Sequence, residues 1–142
     1  MKFFKNDYEL GLKSELETLP ILRNFFKDDI RKTSGKFNEF DFVGDNTFYE
    51  LKTRTNNYNK YPTTIIGFNK IKSIDGKSTN KDTKFYFVFK FIDGIYYYEY
   101  NINDKFEVKK GGRNDRFDYK GNRLNEYKDY YYIPIDKLIS IS

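Results

Sequence analysis

The sequence predicts a mixed α/β domain, α+β in the order of its elements, built around one sheet. Three observations carry this. Aromatic residues make up 20% of the chain, as 14 Tyr and 15 Phe with no Trp, and such side chains favour pleated, half-buried strands. The stretches KFYFVFKFI and IYYYEYN, split by Asp93-Gly94, read as two strands and a turn. The N-terminal region instead repeats its apolar residues at helical spacing. A chain of 142 residues fits one domain, residues 1–142, with a sizeable core, and no repeat or boundary interrupts it.

Taken in order, NDYELGLKSELETLPILRNFFKDDI is the first helix. Leu12, Leu16 and Leu19 form its apolar stripe, continued by Leu22, Phe25 and Phe26, and Asn6 or Asp7 is placed to cap its start. Pro20 predicts a kink or break, with Thr18 capping a second helical turn. IRKTSG reads as a short strand. FNEFDFV alternates, which puts Phe40 and Phe42 on one face and Asp41 and Val43 on the other. Gly44-Asp45-Asn46 has turn chemistry, and TFYELKT returns as the partner strand, with Phe48, Glu50 and Lys52 on one face and Tyr49 and Leu51 on the other. A polar loop spans 56–60. Ile65, Ile66, Phe68, Ile71 and Ile74 then suggest a second helix, weakened by Gly67. After the flexible loop DGKSTNKDT comes the hairpin at 84–101. KFEVKK adds a strand, GGRNDRFDYKGNRLNEYKD reads as a long loop, and YYYIPIDKLISIS closes the chain as strand interrupted by Pro134.

The chain contains no Cys and no His. This removes disulfides, thiolate chemistry, the usual structural zinc ligands and any histidine base. Carboxylates, lysines, arginines, tyrosines and hydroxyls remain, and a metal, if used, is a hard cation held by oxygen. The balance of 26 Lys plus Arg against 21 Asp plus Glu gives a net charge of +5, mildly basic and compatible with a polyanion partner. The N-terminus MKFFKNDYEL lacks the apolar run of a signal peptide, and no segment approaches membrane-spanning length. The expectation is a soluble, intracellular, cytoplasmic protein with no membrane partner.

Against this background Asp41 and Glu50-Leu51-Lys52 stand out. Two carboxylates on adjacent strands can share a divalent cation, and a lysine two residues after one of them lies on the same face. Phosphodiester hydrolysis needs nothing that the chain lacks. An acid-x-Lys triplet alone carries little weight, since Asp75–Lys77, Asp82–Lys84 and Glu107–Lys109 share the pattern. Only Glu50-Leu51-Lys52 follows a hairpin with an acid in the preceding strand. The plainer reading of these residues is a solvated strand face with weak salt bridges.

This arrangement resembles the PD-(D/E)xK nuclease superfamily, the fold of type II restriction enzymes and Holliday-junction resolvases. The resemblance implies a restriction-endonuclease-like α-β-β-β-α-β core over residues 7–92, with an additional C-terminal β-hairpin. Phe40 stands where many members have proline. It further implies a metal-dependent DNA endonuclease that leaves a 5′-phosphate. A viral or phage gene is one expected source of the chain. Asp41, Glu50 and the Leu51 carbonyl would be ligands of Mg²⁺ or Mn²⁺, and Lys52 would act on the attacking water. Glu15 would be the glutamate of the first helix, and Lys70 the residue that the second helix turns toward the site. Enzymes of this type that cut two strands generally work as dimers, which points to a homodimer, with the 84–101 hairpin as its surface.

Further residues are suited to nucleic acid. Arg54 follows the triplet and can meet a phosphate, while Tyr58 and Tyr61 flank Lys60 for stacking and charge. The tyrosines at 96–98 and 130–132 are explained by an amphipathic sheet. Lys109, Lys110, Arg113 and Arg116 form a basic loop. The competing expectation is a non-catalytic nucleic-acid-binding or protein-interaction module, in which the acidic cluster is degenerate or accidental. An inhibitor or assembly protein of a virus-like genome is a third.

Overall fold

The computed structural model describes residues 2–33, 40–77, 82–111 and 128–141. The chain opens with helix α1 (Lys2–Phe26). Three strands follow, β1 (Arg31–Lys32), β2 (Phe42–Val43) and β3 (Thr47–Thr53), and then β4 (Thr63–Gly67) and helix α2 (Phe68–Lys77). Strands β5 (Lys84–Phe91), β6 (Gly94–Glu99), β7 (Glu107–Gly111) and β8 (Lys128–Pro134) come next, then a short 3-10 turn (Ile135–Lys137) and β9 (Ile139–Ser140). This mixed architecture of two helices and mostly strands is consistent with a restriction-endonuclease-like fold. Among the described residues no helix is long and apolar enough to cross a membrane.

The strands form two sheets. The larger has the order β1-β2-β3-β5-β6-β9, and the smaller is β4-β8-β7. Within the larger sheet β3 and β5 run parallel, joined through β4 and α2, while β5 and β6 pair antiparallel as the sequence suggests. Strand β5 shows why that hairpin was legible. Phe85, Phe87, Phe89 and Phe91 enter one core, and Tyr86 and Val88 enter the other, the period-2 alternation of a strand buried on both faces. Because β5 is central and β9 pairs with β6, the hairpin at 84–101 lies within the sheet.

One core lies under α1. Leu22, Ile30, Phe42, Tyr49, Leu51, Tyr86, Val88 and Ile95 are buried there. The other joins the opposite face of the large sheet to α2 and the small sheet, through residues such as Phe87, Phe89, Ile71, Tyr131 and Ile133. The larger sheet is thus a middle layer, and each face of β3 looks into a different core.

Several details depart from the sequence reading. The first helix starts at Lys2, so Asn6 and Asp7 sit inside it, and it runs unbroken past Pro20 to Phe26. Thr18 caps nothing; its hydroxyl donates back to the Ser14 carbonyl at 2.6 Å. The face turned to the sheet is Ser14, Thr18 and Leu22, all buried, whereas Leu16 is 63% exposed. Of the stripe at 12, 16 and 19, Leu19 packs against the core under α1 and Leu16 does not. The two hydroxyls are satisfied, Ser14 Oγ meeting Thr53 Oγ1 at 2.7 Å, so their burial costs little.

Ile65 and Ile66 belong to β4 instead of a second helix, and Gly67 closes that strand. Phe40 and Phe42 enter opposite cores, not the same one. The strand begins only at Phe42, so the alternation assumed for Phe40 does not apply. The residues 34–39 and 112–127 expected as strand start and long loop, Arg113 and Arg116 among them, lie outside the described residues.

Candidate active site

The site is built on the β2–β3 hairpin. β2 pairs with β3 with Phe42 opposite Tyr49 and Val43 opposite Phe48, so one step back along the chain sets Asp41 across from Glu50. Thr33 holds the backbone at this point. Its hydroxyl donates to the Phe40 carbonyl at 2.6 Å, and its N–H donates to the Asp41 carbonyl at 3.0 Å. The Asp41 carboxylate in turn accepts the Leu51 N–H at 2.8 Å through Oδ2. Sequence reasoning missed Thr33, since a lone threonine before a loop carries no signal of such a role.

Asp28, just beyond α1, fixes the other end of the hairpin. Oδ2 accepts the Thr47 and Tyr49 hydroxyls at 2.6 and 2.8 Å, and Oδ1 accepts the Asp45 N–H at 2.9 Å. Gly44 is required here, because a Cβ would overlap the Asp28 carboxylate, and Asn46 takes the left-handed conformation with φ 66°, which asparagine tolerates.

Period-2 geometry places Glu50 and Lys52 on the α2 side of β3, opposite Tyr49 and Leu51, as the sequence predicts. Glu50 is 4% exposed. Lys52 Nζ lies 3.3 Å from Glu50 Oε2, and Lys70 Nζ, reaching down from α2, lies 3.6 Å from the same oxygen. Lys70 also sits 5.8 Å from the centroid of the Phe40 ring. The second helix therefore brings Lys70 beside Glu50. Both cations address Oε2, whereas Glu50 Oε1 is buried with no hydrogen-bond partner among the described residues.

Burial, and after it the neighbouring Glu50 carboxylate, push the Asp41 carboxyl up to about 6, against the opposing pull of the Leu51 N–H and Lys52. Two carboxylates held face to face in a buried place, one with an orphaned oxygen, make a site that gains from a cation. Among the described residues no group of three or more acidic side chains converges. These two carboxylates could hold a hard divalent cation.

Glu15 is placed differently. Its carboxylate pairs with Lys32 of β1 at 2.8 Å, and no described contact joins it to Asp41, Glu50 or Lys52. Arg54 is drawn into the protein. Its guanidinium donates to the Ile65 carbonyl and to Thr64 Oγ1, and lies 5.6 Å from the Phe89 centroid. It staples the end of β3 to β4, and burial lowers its pKa. Tyr58 stacks on Tyr96 with centroids 4.0 Å apart and donates its hydroxyl to the Ile135 carbonyl at 3.2 Å, so its ring serves local packing. Lys60 and Tyr61 remain at the surface, with Lys60 Nζ 5.5 Å from the Tyr61 centroid and Tyr61 54% exposed.

A protein-family model described as "Phage putative PDDEXK endonuclease" matches residues 11–137. The chain belongs to this PDDEXK endonuclease family. The match covers most of α1, all of α2 and the residues Asp41, Glu50, Leu51, Lys52 and Lys70, and it agrees with the superfamily that the motif resembles. No curated protein and no solved structure matches the chain.

Proposed function

We propose that the chain is a Mg²⁺- or Mn²⁺-dependent DNA endonuclease whose site is Asp41, Glu50, Leu51 and Lys52. The observation that carries this is the register of the hairpin, which sets Asp41 against Glu50 and leaves Glu50 Oε1 without a partner. The two carboxylates and the Leu51 carbonyl would hold the ion. When bound, a divalent cation there polarises a phosphate and offsets the charge that builds on its oxygens. Asp41 must lose its proton to serve as a ligand. Lys52 orients the attacking water and steadies the developing negative charge. Lys70 adds a second cation on the same side, and Lys60 and Tyr61 offer charge and a stacking face to the strand. Arg54 and Tyr58 act by building the wall beside the site. A part for Glu15 requires its ion pair with Lys32 to open.

Titration of Mg²⁺ and Mn²⁺ against supercoiled, linear and four-way-junction DNA tests this reading. The parent protein cuts at least one of them, and Lys52→Ala reduces cutting by two orders of magnitude or more, the usual scale for loss of an electrostatic or proton-handling group. Cutting that survives in Lys52→Ala contradicts the assignment. DNA binding without cutting, under every metal, is the result expected of a non-catalytic module. Glu15→Gln leaves cutting within a few-fold of the parent and changes stability by less than about 1 kcal/mol, because its ion pair is partly solvated. A hundredfold loss of cutting in that variant, with the fold retained, places Glu15 in the catalytic machinery instead.

A further inference from the structure

Beyond Lys52 lies a half-open cavity of about 780 Å³, within the range of small-molecule sites. Arg54 lines it and follows Glu50 and Lys52 at the next alternate position, about 7 Å further along at strand spacing. Tyr61 supplies a ring and Thr55 and Thr63 supply hydroxyls, while Arg54, Asn56, Tyr58 and Thr64 make hydrogen bonds within the fold, and the lining contains no carboxylate. Tyr61, Pro62 and Ile135 also border a second, shallower cavity of about 570 Å³. Tyr61 thus divides two compartments, with its ring 54% exposed and Lys60 held close to it.

The chemistry of this place is specific. A flat, half-exposed ring accepts the face of a base, the Thr55 and Thr63 hydroxyls can meet its edge, and Lys60 beside the Tyr61 ring favours a phosphate. A base inside a duplex has both faces covered and its pairing edge occupied. We propose that the cavity takes a nucleotide that has left the base stack, next to the phosphate being cut, so that the substrate class is DNA with unpaired nucleotides at the cut site. The position of the cut rests on the nuclease reading of Asp41, Glu50 and Lys52; the occupant of the cavity rests on the cavity itself.

The test compares the affinity of full-length Lys52→Ala protein for two fluorescent duplexes, identical except that one carries two unpaired nucleotides. The bulged duplex binds at least tenfold more tightly, in keeping with the effect of base stacking on aromatic side chains. Tyr61→Ala, at an exposed position, removes most of that preference. Thr55→Trp, which fills the cavity from its exposed rim, removes it while Tyr61 is kept. Equal affinity for the two duplexes overturns the proposal, and so does a preference that survives both substitutions. The parent protein's metal-dependent cutting is measured on the same DNAs. Cutting without preference sinks the cavity proposal alone, and preference without cutting on any DNA sinks the nuclease reading alone.

Discussion

Asp41→Asn abolishes DNA cutting and, in the presence of a chelator at pH 8, makes the fold more stable than the parent. Both effects come from one carboxylate. Its folded pKa, about 6, lies above the ordinary aspartate value of 3.8 because of burial and the Glu50 charge. The folded state therefore binds this proton more tightly than the unfolded state. The resulting stability is fully present below about pH 4, falls as pH rises through 6 and stays lost above it. The cost at pH 8 is on the order of 2–3 kcal/mol. Asparagine removes the charge and keeps an oxygen to accept the Leu51 N–H. Thermal unfolding at pH 8 and at pH 4 checks this, with the difference between the proteins present at the first and gone at the second. Adding Mg²⁺ or Mn²⁺ reverses the order at pH 8, since only the parent gains from binding. Cutting by the parent declines below about pH 6, where the proton competes for Asp41.

Asp28→Ala lowers stability by about 2–4 kcal/mol, measured by denaturant unfolding. The substitution strands three donors at once, the Asp45 N–H and the Thr47 and Tyr49 hydroxyls, and Tyr49 is 1% exposed. An orphaned buried donor costs about 1–3 kcal/mol. Asp28→Asn loses less, because one oxygen still accepts. The pH dependence of Asp28 has the opposite sign to that of Asp41. Burial works to raise its pKa, but the bonds from Thr47, Asp45 and Tyr49 outweigh it and hold the carboxyl below 3.8. Its contribution is present above the unfolded pKa and is lost as pH falls through the lower folded value. Because Asp28 anchors the turn between β2 and β3, Asp28→Ala also loosens the register that sets Asp41 against Glu50, and cutting falls along with stability.

The strands that alternate cleanly were legible in the sequence. β5 reads Phe-Tyr-Phe-Val-Phe because its two faces enter two cores, and β3 puts Glu50 and Lys52 opposite Tyr49 and Leu51 for the same reason. Lys70 was legible only through its resemblance to the family pattern, since a lysine on a short helix has no signature of its own. What failed depended on tertiary context. Ile65 and Ile66 have β-branched side chains that favour strand, but their spacing with Phe68, Ile71 and Ile74 also fits a helix, and only the pairing of β4 with β8 decides between them. Phe40 departs from the alternation because the chain bends before β2. Ser14 and Thr18 face the sheet because hydroxyls that find partners bury as readily as leucines, which a reading of apolar spacing cannot see. Arg54 and Tyr58 carry the residue types of a nucleic-acid contact, yet β4 and Tyr96 occupy them from within the fold.

The central claim is that Asp41 and Glu50 share one cation. Mn²⁺ binding followed by electron paramagnetic resonance at pH 8 tests it most directly, with the parent protein, Asp41→Asn and Glu50→Gln compared in the absence of DNA. The predicted result is one bound ion per chain in the parent and at least a tenfold weaker affinity in each variant, with both variants still folded. Undiminished Mn²⁺ binding in either folded variant contradicts the shared site.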